Sequence, residues 1–175
     1  MNIRTPVVFS DGTQFFDGLS EEYIRHNRGF FILAPSGSGK TYFVNKQQQK
    51  DWIDGDVLWP MAGADLTSYE WVDDPGLIDE INRKSDVITN EARKLGFWVI
   101  GSSNDSLKPD AIVLPEWSQH REYIASREEY HYDGGAKIAD FEAVESHREI
   151  IKRWSQKGVP EFQSVQEAAD YLKAQ

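Results

Sequence analysis

Cysteine is absent from this chain. Without thiols there is no disulfide scaffold, no thiolate nucleophile and no cysteine-ligated zinc. Long apolar runs are also missing: no stretch approaches the roughly 18 residues that a membrane helix needs, and the first residues lack the apolar core of a secretory signal. We therefore expect a protein of the reducing cytoplasm that has no membrane association.

Basic residues are outnumbered by acidic ones, with 19 Lys and Arg against 29 Asp and Glu and a formal net charge of −10. Proteins that bind a nucleic-acid backbone usually have a broad basic surface. The excess of acidic residues argues against such a surface here but does not exclude one local basic groove. Apolar residues at 39% and aromatic residues at 13% are enough to build a core. A length of 175 residues predicts one domain.

Strand and helix patterns alternate along the chain. Continuous apolar runs predict buried strands at residues 30–33, 57–59, 97–100 and 111–114. Helical spacing predicts helices at residues 41–50, at 75–95 with Asp74 as the cap and Pro75 in the first position, and at 116–130, 138–154 and 164–172. A hairpin around Asp11-Gly12 and a short helix from Ser20 through His26 precede them. The alternation indicates an α/β fold with a mostly parallel sheet flanked by helices.

Residues 34–41, with the sequence APSGSGKT, lie directly between the first predicted strand and a helix. We refer to them as the Gly-Ser loop. Glycines let backbone N–H groups turn inward around a polyphosphate with no Cβ in the way. The helix that begins near Gly39 would direct its unpaired N–H groups at a β-phosphate. Lys40 would reach the β- and γ-phosphates, and the Thr41 hydroxyl would bind Mg²⁺.

This pattern resembles the Walker A motif of P-loop NTPases and kinases, with Ala34 at the position of the first glycine of that motif. The resemblance implies a three-layer P-loop NTPase fold in a single kinase domain over residues 1–175. An N-terminal hairpin and helix would occupy residues 1–28, and a helical lid about 116–136. The resemblance also implies ATP and Mg²⁺ as cofactors. The loop residues that would bind ATP are Ser36, Gly37, Ser38, Gly39, Lys40 and Thr41.

A second motif, Asp54-Gly55-Asp56, belongs to the second predicted strand, whereas residues 97–100 lack the carboxylate that ends the Walker B strand of hydrolytic NTPases. The form DGDxLxP resembles the P-loop small-molecule kinases and is most similar to the gluconate-kinase group. Shikimate and nucleotide kinases share the general plan. This resemblance assigns Asp54 to the metal and Asp56 to the acceptor hydroxyl, and the two roles can be exchanged. Trp59 stands where the gluconate group has histidine, and it suits a flat acceptor such as a base.

P-loop kinases add arginines from a mobile lid, which neutralise the transferring phosphoryl group. The resemblance gives this role to Arg121 and Arg127, with a hinge at residues 133–135, and it places the adenine near Pro160 before the last helix. The histidines show no metal-ligand spacing and are expected to be surface or satisfied polar residues. They are His26, His120, His131 and His147.

These features favour an ATP-dependent kinase in which Lys40, Asp56 and the two lid arginines are catalytic. The expected acceptor is nucleotide-like. It would be a free nucleoside or nucleotide, or a hydroxymethylated pyrimidine in DNA, as for viral P-loop kinases that act on 5-hydroxymethyluracil. Net acidity weighs against the DNA version. One alternative is a gluconate-like carbohydrate kinase. Another is a nucleotide-binding switch or assembly ATPase. The missing Walker B carboxylate argues against this alternative. A third alternative is a degenerate P-loop domain that serves only as an interaction module. The intact Lys40-Thr41 pair argues against it.

Overall fold

The computed structural model describes residues 22–64, 73–102, 106–130 and 135–175. Its strands form one sheet in the order β2-β3-β1-β4-β5, and the strand pairs with a described register are parallel. The predicted α/β class, with a parallel sheet flanked by helices, is confirmed.

The strands are β1 (Phe30–Leu33), β2 (Trp52–Asp54), β3 (Trp98–Gly101), β4 (Ala111–Val113) and β5 (Glu161–Phe162). The helices are α1 (Lys40–Lys46), α2 (Pro75–Lys94), α3 (Trp117–Glu129), α4 (Phe141–Gln156) and α5 (Val165–Lys173).

Burial explains why the strands are continuous apolar runs. Every residue of β1, β3 and β4 is buried, as expected for strands covered on both faces. The register pairs Ile32 with Ala111 across β1 and β4, and Trp52 with Trp98 across β2 and β3. Three of the four strand predictions are therefore confirmed, with bounds that differ by at most one residue at either end.

Two helices begin at the predicted caps. The Asp74 carboxylate accepts hydrogen bonds from the backbone N–H groups of Gly76 and Leu77, both at 3.1 Å, so α2 begins at Pro75 as predicted. The Ser164 hydroxyl accepts from the backbone N–H of Glu167 at 3.1 Å and caps α5. These ends are specified locally, which is why the sequence predicts them.

The strand predicted at residues 57–59 is wrong. The second strand is β2, at Trp52–Asp54, and Gly55–Leu58 form a 3₁₀ turn instead. The Gln47 side chain holds the start of β2: its amide nitrogen donates to the Trp52 carbonyl at 2.8 Å, and its oxygen accepts from the Trp52 N–H at 2.9 Å. The Asp54 carboxylate then accepts from the Asp56 N–H and ends the strand. Side-chain capping therefore outweighs the β propensity of Val57.

Two helix predictions also extend too far. Helix α1 ends at Lys46 rather than near residue 50. Residues 23–26 are not helical, because the N–H groups of Ile24 and His26 donate to the carbonyls of Lys50 and Gly96, both at 2.8 Å. The predicted hairpin around Asp11-Gly12 lies outside the described residues.

The described residues fall into two compact units. The first contains residues 22–31, 47–64, 73–100 and 106–107. Its core is built from α2 side chains and the residues of β2 and β3, with Ile81, Ile88, Ile53 and Val99 at 0–1% exposure. The Trp98 indole stacks on the His26 ring at 3.6 Å between centroids.

The second unit contains residues 32–46, 101–102, 108–130 and 135–175. Helices α4 and α5 pack against β4, and the predicted stripe of α5 is buried: Val165, Ala168, Ala169 and Leu172. No helix within the described ranges is long and apolar enough to cross a membrane.

Substitution of Gly96 by alanine tests the packing between β3 and the segment that precedes β1. Gly96 has a φ of +96°, and a Cβ there would overlap the backbone carbonyl of His26. Gly63 has a similar φ of +98°, and its Cβ would meet no described heavy atom within 4 Å. Both variants carry the strain of a left-handed alanine, but only Gly96→Ala adds a steric overlap. We expect Gly96→Ala to lower the free energy of unfolding by about 2 kcal/mol more than Gly63→Ala. Urea unfolding followed by tryptophan emission measures this difference, and equal losses would contradict it.

Candidate functional site

The Gly-Ser loop joins β1 to α1 through a turn that needs glycine at two positions. Gly37 has a φ of +78° and Gly39 a φ of +98°, both in the left-handed region. Ser38 closes the turn on Pro35, with its N–H at 3.2 Å and its hydroxyl at 2.6 Å from the Pro35 carbonyl. Helix α1 starts where the Phe43 N–H donates to the Gly39 carbonyl at 2.9 Å.

Lys40 is the first residue of α1 and is 6% exposed, whereas Thr41 is half-buried. The positive charge of Lys40 contributes to the lowered pKa of both His120 and His147. Burial is the larger cause of each lowered pKa. The positive charges that lower the pKa of His120 include those of Lys40 and Arg148.

Helix α3 places one face along the Gly-Ser loop. His120, Ile124 and Arg127 are four and three residues apart, so they share this face. The His120 Nε2 atom lies 2.7 Å from the Ser36 carbonyl oxygen. A Cβ at Gly37 would lie 2.5 Å from the Cγ1 atom of Ile124. The loop therefore packs against α3 at two consecutive residues.

The two predicted lid arginines have different surroundings. Arg127 lies beside the loop: a Cβ at Gly135 would be 2.9 Å from the Ser36 hydroxyl and 3.0 Å from an Arg127 guanidinium nitrogen. The Ser36 hydroxyl also accepts from the Ala136 N–H at 2.9 Å. Arg121 is exposed, and its guanidinium carbon lies 5.7 Å from the Trp117 ring centroid on another face of α3. Of the proposed hinge, residues 133 and 134 lie outside the described residues.

The carboxylate pair belongs to the first unit. Asp54 ends β2, is 9% exposed, and accepts from the Asp56 N–H at 3.1 Å. Its charge also contributes, after burial and Glu22, to the raised pKa of Tyr23. Asp56 is exposed. Trp59 follows and packs, half-buried, against the core of the first unit. Asp54 is thus partly occupied in holding its own turn, whereas Asp56 is an exposed residue.

The described residues contain no group of three or more His, Asp or Glu side chains that could hold a metal ion. A magnesium ion held mainly by phosphates and water needs only one or two protein ligands. The Thr41 hydroxyl and the Asp54 carboxylate are both hard oxygen donors of the kind that Mg²⁺ prefers.

Pro160, the predicted adenine contact, precedes β5, and its carbonyl accepts from the Ile112 N–H at 3.0 Å. It is therefore part of the β4–β5 pairing. A cavity of about 390 Å³ opens instead near the carboxyl ends of these two strands. Its lining residues are Leu114, Pro115, Glu116, Trp117, Arg148, Glu149, Lys152, Glu161 and Gln163.

The sequence did not predict that α3 supports the loop. His120, predicted to be a surface or satisfied polar residue, is fully buried and has a polar partner at each ring nitrogen, so the second of these two alternatives is confirmed. One signal was present: His120, Ile124 and Arg127 form a regular helical stripe in an otherwise charged segment. Arg148 gave no comparable signal, because its partner is 28 residues away in the sequence.

A scan against models of protein families finds no match for this chain, and a search of the curated proteins finds none either.

The loop–helix packing predicts unequal effects of alanine at the two loop glycines. Gly37 and Gly39 both have a positive φ, but a Cβ at Gly39 would meet no described heavy atom within 4 Å. The Cβ at Gly37 would press on Ile124, which is fully buried and has no room to move. We expect Gly37→Ala to cost about 2 kcal/mol more unfolding free energy than Gly39→Ala. In an Ile124→Ala background, this difference should shrink. A difference that persists in that background would show that the loop does not pack on Ile124.

Proposed function

We propose that this protein is a P-loop kinase that transfers the γ-phosphate of ATP to a nucleotide-like acceptor. In this proposal the α/β sheet is that of a three-layer P-loop NTPase fold, and α3 with the following segment serves as its lid. The supporting observation is the conformation of the Gly-Ser loop. It follows a fully buried strand, has left-handed glycines at positions 37 and 39, and leads into a buried lysine.

The loop suits a phosphate for steric and electrostatic reasons. A Cβ at Gly39 would enter space that no described heavy atom occupies within 4 Å, so the bare glycine leaves room for an anion beside the backbone. Helix α1 has seven residues, so its dipole is a minor contribution. The proposal therefore depends on the loop amides and on the Lys40 ammonium, which would bind the β- and γ-phosphates.

In the proposed reaction, an acceptor hydroxyl oxygen attacks the γ-phosphorus while the bond from that phosphorus to the β–γ bridging oxygen breaks. ADP leaves with the bridging oxygen, and the hydroxyl proton passes to the Asp56 carboxylate. Asp56 suits this role because it is exposed and an acceptor can reach it. Asp54, whose oxygen already holds the turn, suits the fixed role at the metal.

Magnesium, when bound, would neutralise charge on the β- and γ-phosphates, with the Thr41 hydroxyl and the Asp54 carboxylate as its protein ligands. The surroundings of the loop favour Arg127 over Arg121 as the lid arginine, because Arg127 neighbours the Ser36 side of the loop. For the base of ATP, the cavity beside Trp117 is better suited than Pro160, because it offers a flat ring and hydrogen-bonding side chains.

The acceptor is proposed to be a nucleoside or nucleotide, since Trp59 follows the carboxylate pair and offers an aromatic surface to a flat ring. A hydroxymethylated pyrimidine in DNA is the larger version of the same acceptor. The net charge of −10 opposes DNA, whose backbone is a polyanion.

Incubation with γ-labelled ATP, magnesium and a panel of acceptors tests the proposal. The panel contains nucleosides, nucleotides, sugar acids and hydroxymethylated DNA, and we expect the label on a nucleoside or nucleotide. Lys40→Met, which keeps the aliphatic stem but loses the charge, should lower transfer at least about a hundredfold. Lys46→Met, at the exposed end of the same helix, should change it less than about twofold. Equal transfer rates for Lys40→Met and the wild type would exclude the proposed phosphate site. Label on a sugar acid would show that the acceptor is a sugar acid rather than a nucleoside or nucleotide.

The two lid arginines provide a second test. We expect Arg127→Gln to lower kcat by about 10³-fold with little change in the ATP dissociation constant, because the guanidinium would act on charge that develops during transfer. Arg121→Gln serves as the matched control on the same helix and should change kcat less than about threefold. Steady-state kinetics with saturating ATP measure both values. A larger loss for Arg121→Gln would reverse the assignment.

A further inference from the structure

His120 is a fully buried histidine on α3 that contacts two other elements of the second unit. Its Nε2 atom lies 2.7 Å from the Ser36 carbonyl oxygen of the Gly-Ser loop, and its Nδ1 atom lies 2.9 Å from a guanidinium nitrogen of Arg148 on α4. The Trp117 ring meets the imidazole edge-on, with 5.6 Å between centroids. Both ring nitrogens therefore have a polar partner in a site closed to solvent.

These partners allow one protonation state of the ring. A guanidinium can only donate, so the Nδ1 atom facing Arg148 must be an unprotonated acceptor. A carbonyl oxygen can only accept, so the Nε2 atom facing Ser36 must carry the hydrogen. The ring is consequently the neutral Nε2–H tautomer. A proton on Nδ1 would break the bond to Arg148 and place two positive charges side by side.

The charges around the ring favour the same neutral state. Burial is the main cause that lowers the pKa of His120 below its ordinary value, and the positive charges of Arg148 and Lys40 act in the same direction, as does His147 when it is protonated. The bond to the Ser36 carbonyl acts in the opposite direction. Because the folded state takes up a proton less readily than the unfolded state, this histidine lowers stability as pH falls below about 6.5.

We propose that His120 is the positioning residue of the Gly-Ser loop: held by Arg148 as the Nε2–H tautomer, it fixes the Ser36 carbonyl and so sets the path of the loop backbone. Ser36 is held at a second atom by Ala136, and Gly37 rests on Ile124. The loop is thus ordered before a ligand arrives, which lowers the conformational entropy lost on binding. The effect on nucleotide affinity rests on the proposed function, whereas the hydrogen-bond chain itself does not.

Two amide variants separate this role from simple space filling. The amide nitrogen of His120→Gln reaches the position of Nε2 and can donate to Ser36, whereas the shorter side chain of His120→Asn ends near Nδ1. We expect the Gln variant to keep the dissociation constant for ATP within about threefold and the Asn variant to weaken it at least about tenfold, the loss expected for one buried hydrogen bond. Urea unfolding of both variants serves as the folding control. Equal weakening in both variants would overturn the positioning role.

The ring nitrogens can be observed directly in the wild-type protein without nucleotide. Long-range ¹H–¹⁵N NMR should show His120 as the Nε2–H tautomer at neutral pH, and an imidazolium or an Nδ1–H ring would overturn the proposal. Arg148→Met should raise the pKa of His120, because it removes a neighbouring positive charge. Arg153→Met, an exposed arginine on the same helix, should leave that pKa unchanged. An unchanged pKa of His120 in Arg148→Met would show that Arg148 does not hold the imidazole ring.

These measurements distinguish the two proposals. If the wild-type protein binds no nucleotide while NMR shows the Nε2–H tautomer, the proposed function fails and the hydrogen-bond chain remains. If nucleotide binds normally and the ring is found in the other tautomer, the chain fails and the function remains.

Discussion

A loop that turns its backbone amides toward an anion cannot use those amides to hold itself together. It must be fixed through its carbonyl oxygens, its side chains and its packing surface. In the Gly-Ser loop, one amide, the Ser38 N–H, already donates to the Pro35 carbonyl, which also accepts from the Ser38 hydroxyl, and the Ser36 carbonyl lies within hydrogen-bond distance of His120. The Ser36 hydroxyl accepts from a backbone N–H, and Gly37 packs on Ile124. Helix α3 contributes to this support, because it supplies both a donor, His120, and an apolar side chain, Ile124.

The same reasoning separates the two carboxylates of the first unit. Asp54 ends a buried strand and accepts a hydrogen bond from the turn that it caps, so its orientation is fixed by the fold. Asp56 lies on the exposed side of that turn. A group that holds a metal benefits from a fixed orientation, whereas a group that takes a proton must be reachable by the acceptor. The structural difference therefore favours one of the two assignments that the sequence leaves open.

Local signals explain which parts of the fold could be predicted. The Asp74 and Ser164 caps, the apolar run of β1 and the stripe of α5 depend on neighbours in the sequence, and each was predicted. The second strand was misplaced because side-chain hydrogen bonds from Gln47 and Asp54 set its ends, and these outweigh the propensity of the apolar residues that follow. The glycine-rich loop could be predicted from its sequence. Its support by other elements could not, because the contacts of Ser36 with His120 and Ala136 and of Gly37 with Ile124 join residues far apart in the chain.

The charges near His120 and the loop include positive ones, whereas the whole chain carries a negative net charge. The sequence has a net charge of −10, yet Lys40 and Arg148 both lie close enough to His120 to lower its pKa. A small anion can enter such a local region without meeting the acidic surface along its length, whereas a long polyanion cannot. Within the proposed function, this charge distribution supports a free nucleotide rather than DNA as the acceptor.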